Sequence, residues 1–292
     1  MTPLRRRMIE ELQRHNYSQA TIDSYIFCVQ EYAKYFHKSP DLLGAEEVRR
    51  YQLYLMNDKK LAAQTVKVHI SALRFFYWKT LKRRDIYFDD LPLPKTPKRL
   101  PTVLSPEEIV QLIGAALILM HRTILILLYA TGIRRAELRW LKVSDIDSKR
   151  MVIHIEQGKG RRDRDIPMTP LVLEALRKYW LHARSKVYLF PSPETANKPE
   201  KPISAKTVWN VVHEAAVRAG FTKRIGPHTL RHSFATHHIE GGTDLLVLQA
   251  LLGHAELKNT LIYVHLSQRQ MRAAVNPLDR LTLQSPEVDV RS

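Results

Sequence analysis

Over the first 88 residues the apolar positions recur at helical spacing. Ile22, Tyr25, Ile26, Val29, Ala33 and Phe36 fall on one stripe, and Ser18 stands where a helix N-cap belongs. Residues 45–58 predict a second helix, and Val66, Ile70, Leu73 and Tyr77 trace a third. Nothing here alternates as a half-buried strand must, so residues 1–90 read as a small helical bundle. The pattern then breaks. Pro92, Pro94, Pro97 and Pro101 lie among Lys95, Lys98 and Arg99. Proline fixes φ and lacks an N–H, so residues 91–103 read as a stiff, extended, basic linker. Helical patterning resumes at Ser105-Pro106-Glu107-Glu108, which sets an N-cap serine, a proline at the first helical position and a glutamate at the third. Further helices are predicted at 120–130, from Thr169-Pro170, from Ser204 and over 228–240. Gly241-Gly242 and Gly253 stand where helices stop. The convincing strands are 151–156 and 164–168, joined by Gln157-Gly158-Lys159-Gly160 and basic residues. The fold class is therefore mainly α with a small antiparallel β-sheet. Two domains are expected, residues 1–90 and 104–281, with a disordered tail over 282–292.

Charge sharpens this picture. The 292 residues carry a formal net charge of +17. Residues 1–100 hold 19 Lys/Arg against 11 Asp/Glu, which leaves +9 for the rest, so both predicted domains are basic. A polyanion contacted by both is the simplest reading, with nucleic acid first. The bland alternative is a basic surface without a partner. No apolar run is long enough to span a membrane, and the basic start of the chain lacks the apolar stretch of a secretory signal. The single cysteine, Cys28, cannot form an internal disulfide, which fits a reducing cytoplasm.

Several residues could carry chemistry, each with an ordinary alternative. Arg134 follows Thr131-Gly132-Ile133, where a glycine breaks an apolar helix; its planar fork matches two phosphate oxygens, or it simply pairs with Glu137. Lys159 sits between glycines at a hairpin tip, able to enter a groove, or is a solvated turn lysine. His228 and Arg231 are three apart at a helix start and share a face. His228 and His232 have a zinc-compatible spacing, but the glutamate of the HExxH pattern is absent and the cysteine is remote, so no metal is expected. His237 and His238 read as helix-surface or partly buried residues. His254 follows a glycine stop, and Tyr263 lies nine residues on, among apolar residues where a tyrosine is usually core.

Taken together, the segments ATGIRRAEL (130–138), QGKGRRDRDIPM (157–168), HTLRHSFATHHIEGGTD (228–244) and LLGHAELKNTLIYVH (251–265) resemble the tyrosine recombinases, the family of phage integrases, Xer recombinases and integron-type integrases. The likeness covers essentially the whole chain, with residues 1–90 resembling the family's helical, SAM-like, core-DNA-binding domain. Two positions depart from the pattern: Val264 stands where threonine is usual after the nucleophile, and Arg135 where many members have a neutral residue. The resemblance implies a C-shaped clamp on double-stranded DNA and a site-specific recombinase that needs neither cofactor nor metal. Tyr263 would attack the scissile phosphate to form a 3′-phosphotyrosyl link. Arg134 and Arg231 would pair with the non-bridging oxygens, His228 and His254 would hydrogen-bond to them, and His228 could also accept the tyrosine proton. Lys159 would protonate the departing 5′-oxygen. Four subunits would assemble on two duplexes in a prokaryotic, nucleoid-associated, cytoplasmic setting. The segment after Tyr263, with Leu266, Met271, Ala274 and Val275 at roughly helical spacing up to Pro277, would couple the subunits. Two alternatives stay open: a type IB topoisomerase using the same chemistry, and a DNA-binding regulator with a retired site.

Overall fold

The computed structural model describes residues 1–85, 88, 91–94, 101–156, 163–192 and 200–266. Lys159 and its turn, the linker positions Lys95, Pro97, Lys98 and Arg99, the tail positions Met271, Ala274, Val275 and Pro277, and the expected disorder over 282–292 all lie outside those residues. The chain divides into two compact units, Met1–Arg99 and Leu100–Ser292.

The first unit is built from α1 (Pro3–Arg14), α2 (Gln19–Phe36), α3 (Ala45–Asn57) and α4 (Ala63–Phe75). Ser18 caps α2 as its position predicts, its hydroxyl accepting from the Thr21 N–H. The predicted stripe packs inward: Ile22, Ile26 and Val29 are buried, beside Tyr32, Tyr51, Leu55, Val66, Ile70 and Leu73. The third pattern does not stay α-helical to its end. Residues 76–80 widen into a single π turn, which lets the adjacent Phe75, Phe76 and Tyr77 all reach the interior. The buried Tyr77 hydroxyl is then satisfied by the Pro40 carbonyl at 2.7 Å.

The second unit opens with α5 (Pro106–Gly114), whose capping box is formed in both directions: the Ser105 hydroxyl accepts from the Glu108 N–H, and the Glu108 carboxylate accepts from the Ser105 N–H. Next come α6 (Leu119–Thr131) and α7 (Arg135–Trp140), a six-residue helix whose apolar periodicity is too short to be legible. The sheet has three strands rather than the two expected. β1 (Ile146–Asp147) adds to β2 (Val152–Ile155) and β3 (Arg164–Pro167) in the order β1-β2-β3, all antiparallel. Two residues carry too little alternation to announce a strand. Ile153, Ile155 and Ile166 face the core, while His154 pairs across with Asp165 on the other face. α8 (Pro170–Ala183), α9 (Ala205–Arg218), α10 (Pro227–Glu240), α11 (Leu245–Leu252) and α12 (Lys258–Leu266) complete the unit. Its main core is a shell of Leu, Ile and Val around the buried α6. A smaller cluster of Phe234, Ala235, Ile239, Leu248, Leu252 and Tyr263 joins α10, α11 and α12. Ser233 in α10 accepts the buried Leu104 N–H at 2.9 Å, tying the start of this unit to the helix that carries His228 and Arg231.

Candidate active site

Two helix ends build the floor of the site. α6 stops at Gly132 and α11 at Gly253, both left-handed with φ +57 and +60. A Cβ at Gly132 would stand 2.5 Å from the Phe234 ring, so any other residue there is both strained and obstructed. The last carbonyls of a helix lack intrahelical donors and carry partial negative charge. Arginines supply the donors. Arg231 gives Nη1 to Gly132 O at 2.5 Å and Nη2 to Leu252 O at 2.7 Å, and Arg134 gives Nη2 to Gly253 O at 3.1 Å.

Glu137 holds the second side of the site. Arg134 is the N-cap of α7, and the Glu137 carboxylate reaches back to accept its N–H at 3.0 Å and its Nη1 at 2.8 Å. Arg164 from β3 donates to both Glu137 oxygens, at 3.2 and 2.8 Å, and sends Nε to Leu251 O at 2.9 Å. The ordinary alternative for Arg134, a pair with Glu137, is therefore present, but it is not a surface pair. The Glu137 side chain is only 6% exposed and also carries Arg164. Burial alone would push this carboxyl up; the hydrogen bond and charge of Arg164, then Arg134, hold it down at about 2.

That shift sets an acid dependence. The folded value of about 2 lies below the ordinary 4.5, so the stabilisation is fully present above pH 4.5 and is lost as pH falls towards 2. Its size is about 3 kcal/mol. Denaturant midpoints between pH 7 and 3 are expected to fall for the wild type. Glu137→Gln should start lower and fall by less, and parallel curves for the two proteins would remove Glu137 from this role.

Four candidates meet in one connected set. Arg231 is 4% exposed, and burial, then Arg134, draws its guanidinium down to about 10. Its Nη2 lies 3.0 Å from His254 Nε2. Arginine cannot accept, so Nε2 is the acceptor and the His254 proton sits on Nδ1, which donates to Thr260 Oγ1 at 2.8 Å. Burial and then the charges of Arg231 and Arg134 hold that imidazole at about 4, hence neutral. Tyr263 is 2% exposed, its ring parallel to His254 within 9° at 6.3 Å between centroids. Burial pushes its phenol up, and Arg231 and Arg134 pull it partly back. The imidazole that meets the Tyr263 hydroxyl is His232, through Nδ1 at 3.2 Å, and not His228. His228 stands at the exposed rim one turn earlier, its ring 6.4 Å from that of His232. Among the described residues no three potential ligands gather to hold a metal ion. His237 and His238 are half-buried, paired with the Tyr129 hydroxyl and Thr243 Oγ1.

Sequence reasoning passed over Glu137 as a double partner, Arg164 and Thr260, and weighed His232 only as a zinc ligand. One signal was available for Arg164. Strand alternation puts it on the same face as the buried Ile166, and an inward-facing arginine needs a carboxylate or carbonyls.

The chain is similar to known proteins over both of its units. Residues 102–270 match the family model described as the phage integrase family, and residues 4–85 match the phage integrase N-terminal SAM-like domain. A Sinorhizobium fredii protein named for an integrase/recombinase, y4qK, is 43% identical over 98% of this chain and 92% of its own length. The tyrosine recombinase XerD of Staphylococcus haemolyticus is 31% identical over 85% of this chain and 97% of its own length. Among solved structures, the XerH site-specific recombinase bound to its difH substrate has a similar fold. Its TM-score is 0.68 at 23% identity, covering 88% of this chain and 79% of that one.

Proposed function

This chain belongs to the phage integrase family of tyrosine recombinases, and we propose that it performs site-specific exchange of double-stranded DNA through a 3′-phosphotyrosyl link on Tyr263. It is a recombinase enzyme, mainly helical with a small antiparallel sheet.

The observation that carries the assignment is electrostatic. Arg134, Arg164 and Arg231 face one carboxylate, Glu137, in a protein interior beside the Tyr263 hydroxyl. The set holds two positive charges more than it neutralises. A phosphodiester brings one negative charge, and the phosphorane formed on attack by tyrosinate carries a second. Donors already aimed at growing charge lower the barrier, each typically by about 3–4 kcal/mol. Arg134 and Arg231 take that role towards the non-bridging oxygens, joined by His228 and His254. Tyr263 Oη bonds to phosphorus as the bond to O5′ breaks, and Lys159 delivers the proton that makes the leaving group a 5′-hydroxyl. The link to Tyr263 keeps the phosphoryl group activated, so a 5′-hydroxyl from a second duplex closes the exchange without ATP.

Double-stranded DNA as the partner is supported by the net charge of +17, spread over both units, and by the DNA-bound XerH neighbour. Assembly into a tetramer on two duplexes is supported by the apolar residues left exposed on α11 and α12 beside the nucleophile: Leu246, Val247, Leu261 and Ile262. No helix among the described residues is long and apolar enough to cross a membrane.

A nicked duplex that loses its 5′-hydroxyl strand after cleavage tests the reading. A covalent protein–DNA adduct is expected, and its yield should be unchanged in excess chelator, because the phosphate charge is met by arginines. Exchange between two labelled duplexes is expected as well. Absence of any adduct, or cleavage abolished by chelation and restored by magnesium, would overturn the chemistry. Relaxation of one duplex without exchange would favour the topoisomerase alternative.

A further inference from the structure

We propose that His232 is the base that takes the proton of Tyr263 as the tyrosine attacks phosphorus. The assignment rests on the recombinase reading and goes beyond it, since the division of work among Tyr263, the arginines, Lys159, His228 and His254 leaves His232 without a part.

The geometry is direct. His232 Nδ1 lies 3.2 Å from Tyr263 Oη, with the rings 5.7 Å apart and tilted by 45°. The Arg231 guanidinium bears on the same oxygen as a donor. A phenol has one proton, and neither arginine nor a protonated ring nitrogen can receive it. With Arg231 as a donor to the oxygen, the hydroxyl proton remains to be given, and His232 Nδ1 is the acceptor the proposal assigns to it. In that arrangement the His232 proton sits on Nε2. His228 on the same helix stands one turn back at the exposed rim, so its ring is placed for an incoming ligand rather than for the phenol.

The surroundings keep this acceptor ready. His228 and Arg231 of α10, Tyr263 of α12, and His254 from the turn before α12 face the His232 ring. Burial, then His228 and Arg231, hold the imidazole at about 4, so at neutral pH it is in the form that can accept. A protonated ring here is disfavoured while the guanidinium charge stands uncompensated. A phosphate seated against Arg134 and Arg231 supplies the missing negative charge and favours the protonated ring. The base thus strengthens when substrate arrives. In the step, the Oη–H bond breaks and its proton passes to Nδ1. The Oη–P bond forms as P–O5′ breaks, and O5′ takes a proton from a separate acid. On rejoining, the imidazolium returns its proton to the departing Oη.

His232→Asn separates base from scaffold, because its Oδ1 stands near the position of Nδ1 and can accept a hydrogen bond but cannot hold a proton. Single-turnover adduct formation on the duplex that the wild-type chain cleaves is expected to slow by about 10²–10⁴-fold, the usual contribution of a general base. The rate of the variant should climb about tenfold per pH unit between pH 7 and 9, tracking tyrosinate. Replacing Tyr263 by the more acidic 3,5-difluorotyrosine should recover at least about tenfold of that loss. A purely structural role would lower the rate alike at every pH and show no recovery, and either result overturns the assignment, as does His232→Asn cleaving like the wild type. If the variant does not fold, the wild-type profile decides. Its acid limb should stay in place when Tyr263 carries fluorine, and a limb that moves with the acidity of the tyrosine overturns the proposal. A wild-type chain that forms no adduct on any duplex sinks the recombinase reading itself; one that forms it while His232→Asn keeps pace sinks only the base.

Discussion

Tyr263→Phe is expected to bind DNA as tightly as the wild-type chain and to form no covalent adduct. The ring of Tyr263 is 2% exposed and packs with Phe234, Ile239, Leu248 and Leu252, so phenylalanine fills the same volume and the cluster keeps its shape. The loss is one hydroxyl. On the protein side this takes the hydroxyl away from His232 Nδ1 and from the Arg231 donor that bears on the same oxygen, a local cost of about 1–3 kcal/mol if water does not replace it. Arg134, Arg231 and His254 hold one another through Gly132, Leu252, Gly253 and Thr260, none of which involves the Tyr263 hydroxyl, so the phosphate cradle survives. Binding by gel shift and adduct formation on a denaturing gel should therefore part company completely. Adduct at wild-type yield in this variant would move the nucleophile to another residue and dissolve the mechanism.

Lys159→Ala should nearly abolish cleavage of ordinary DNA, by about 10²–10⁴-fold for loss of a general acid. The reason is the leaving group. An alkoxide is a poor one at neutral pH, and the proposed mechanism assigns the arginines and histidines of the site to the non-bridging oxygens. Lys159 is the cation proposed for this step, because its flanking Gly158 and Gly160 carry no Cβ to oppose a close approach to a DNA groove. Sulfur in place of the bridging 5′-oxygen makes a leaving group that needs no proton. That substrate should restore Lys159→Ala towards the wild-type rate and leave Arg231→Ala slow, because the arginine acts on charge that sulfur does not remove. Equal failure of the lysine variant on both substrates would assign the proton to another group.

The helical parts of the fold were legible because their signals are local. Ser18 and Ser105 cap the helices their positions predict, and the stripe from Ile22 to Val29 buries as its spacing requires. The short pieces were not. β1 is two residues long and α7 is six, too few for a period to repeat. The π turn at residues 76–80 answers a packing demand, three consecutive aromatics with one interior, which no helical period encodes. At the site, Arg134, Arg231, His254 and Tyr263 were found as motif residues, and the structure gathers them around the ends of α6 and α11. His232 is legible in sequence only as a zinc-spaced partner of His228; its contact with Tyr263 is not, because that residue lies on α12, thirty-one residues on. Arg164 needed knowledge of which strand face turns inward and of a carboxylate from a different element.

The two glycine stops have a consequence for how this site tolerates change. Arg231 and Arg134 are anchored on the carbonyls of Gly132, Leu252 and Gly253. A carbonyl is the same atom whatever side chain hangs from its residue. Leu252 can therefore be exchanged for another apolar residue without altering the anchor it offers, provided α11 still ends one residue later. What must persist is a pair of left-handed turns, and those depend on Gly132 and Gly253 alone. Of the three residues whose carbonyls grip Arg134 and Arg231, Leu252 alone is free to change its side chain, and the grip stays fixed for as long as the two glycine turns do.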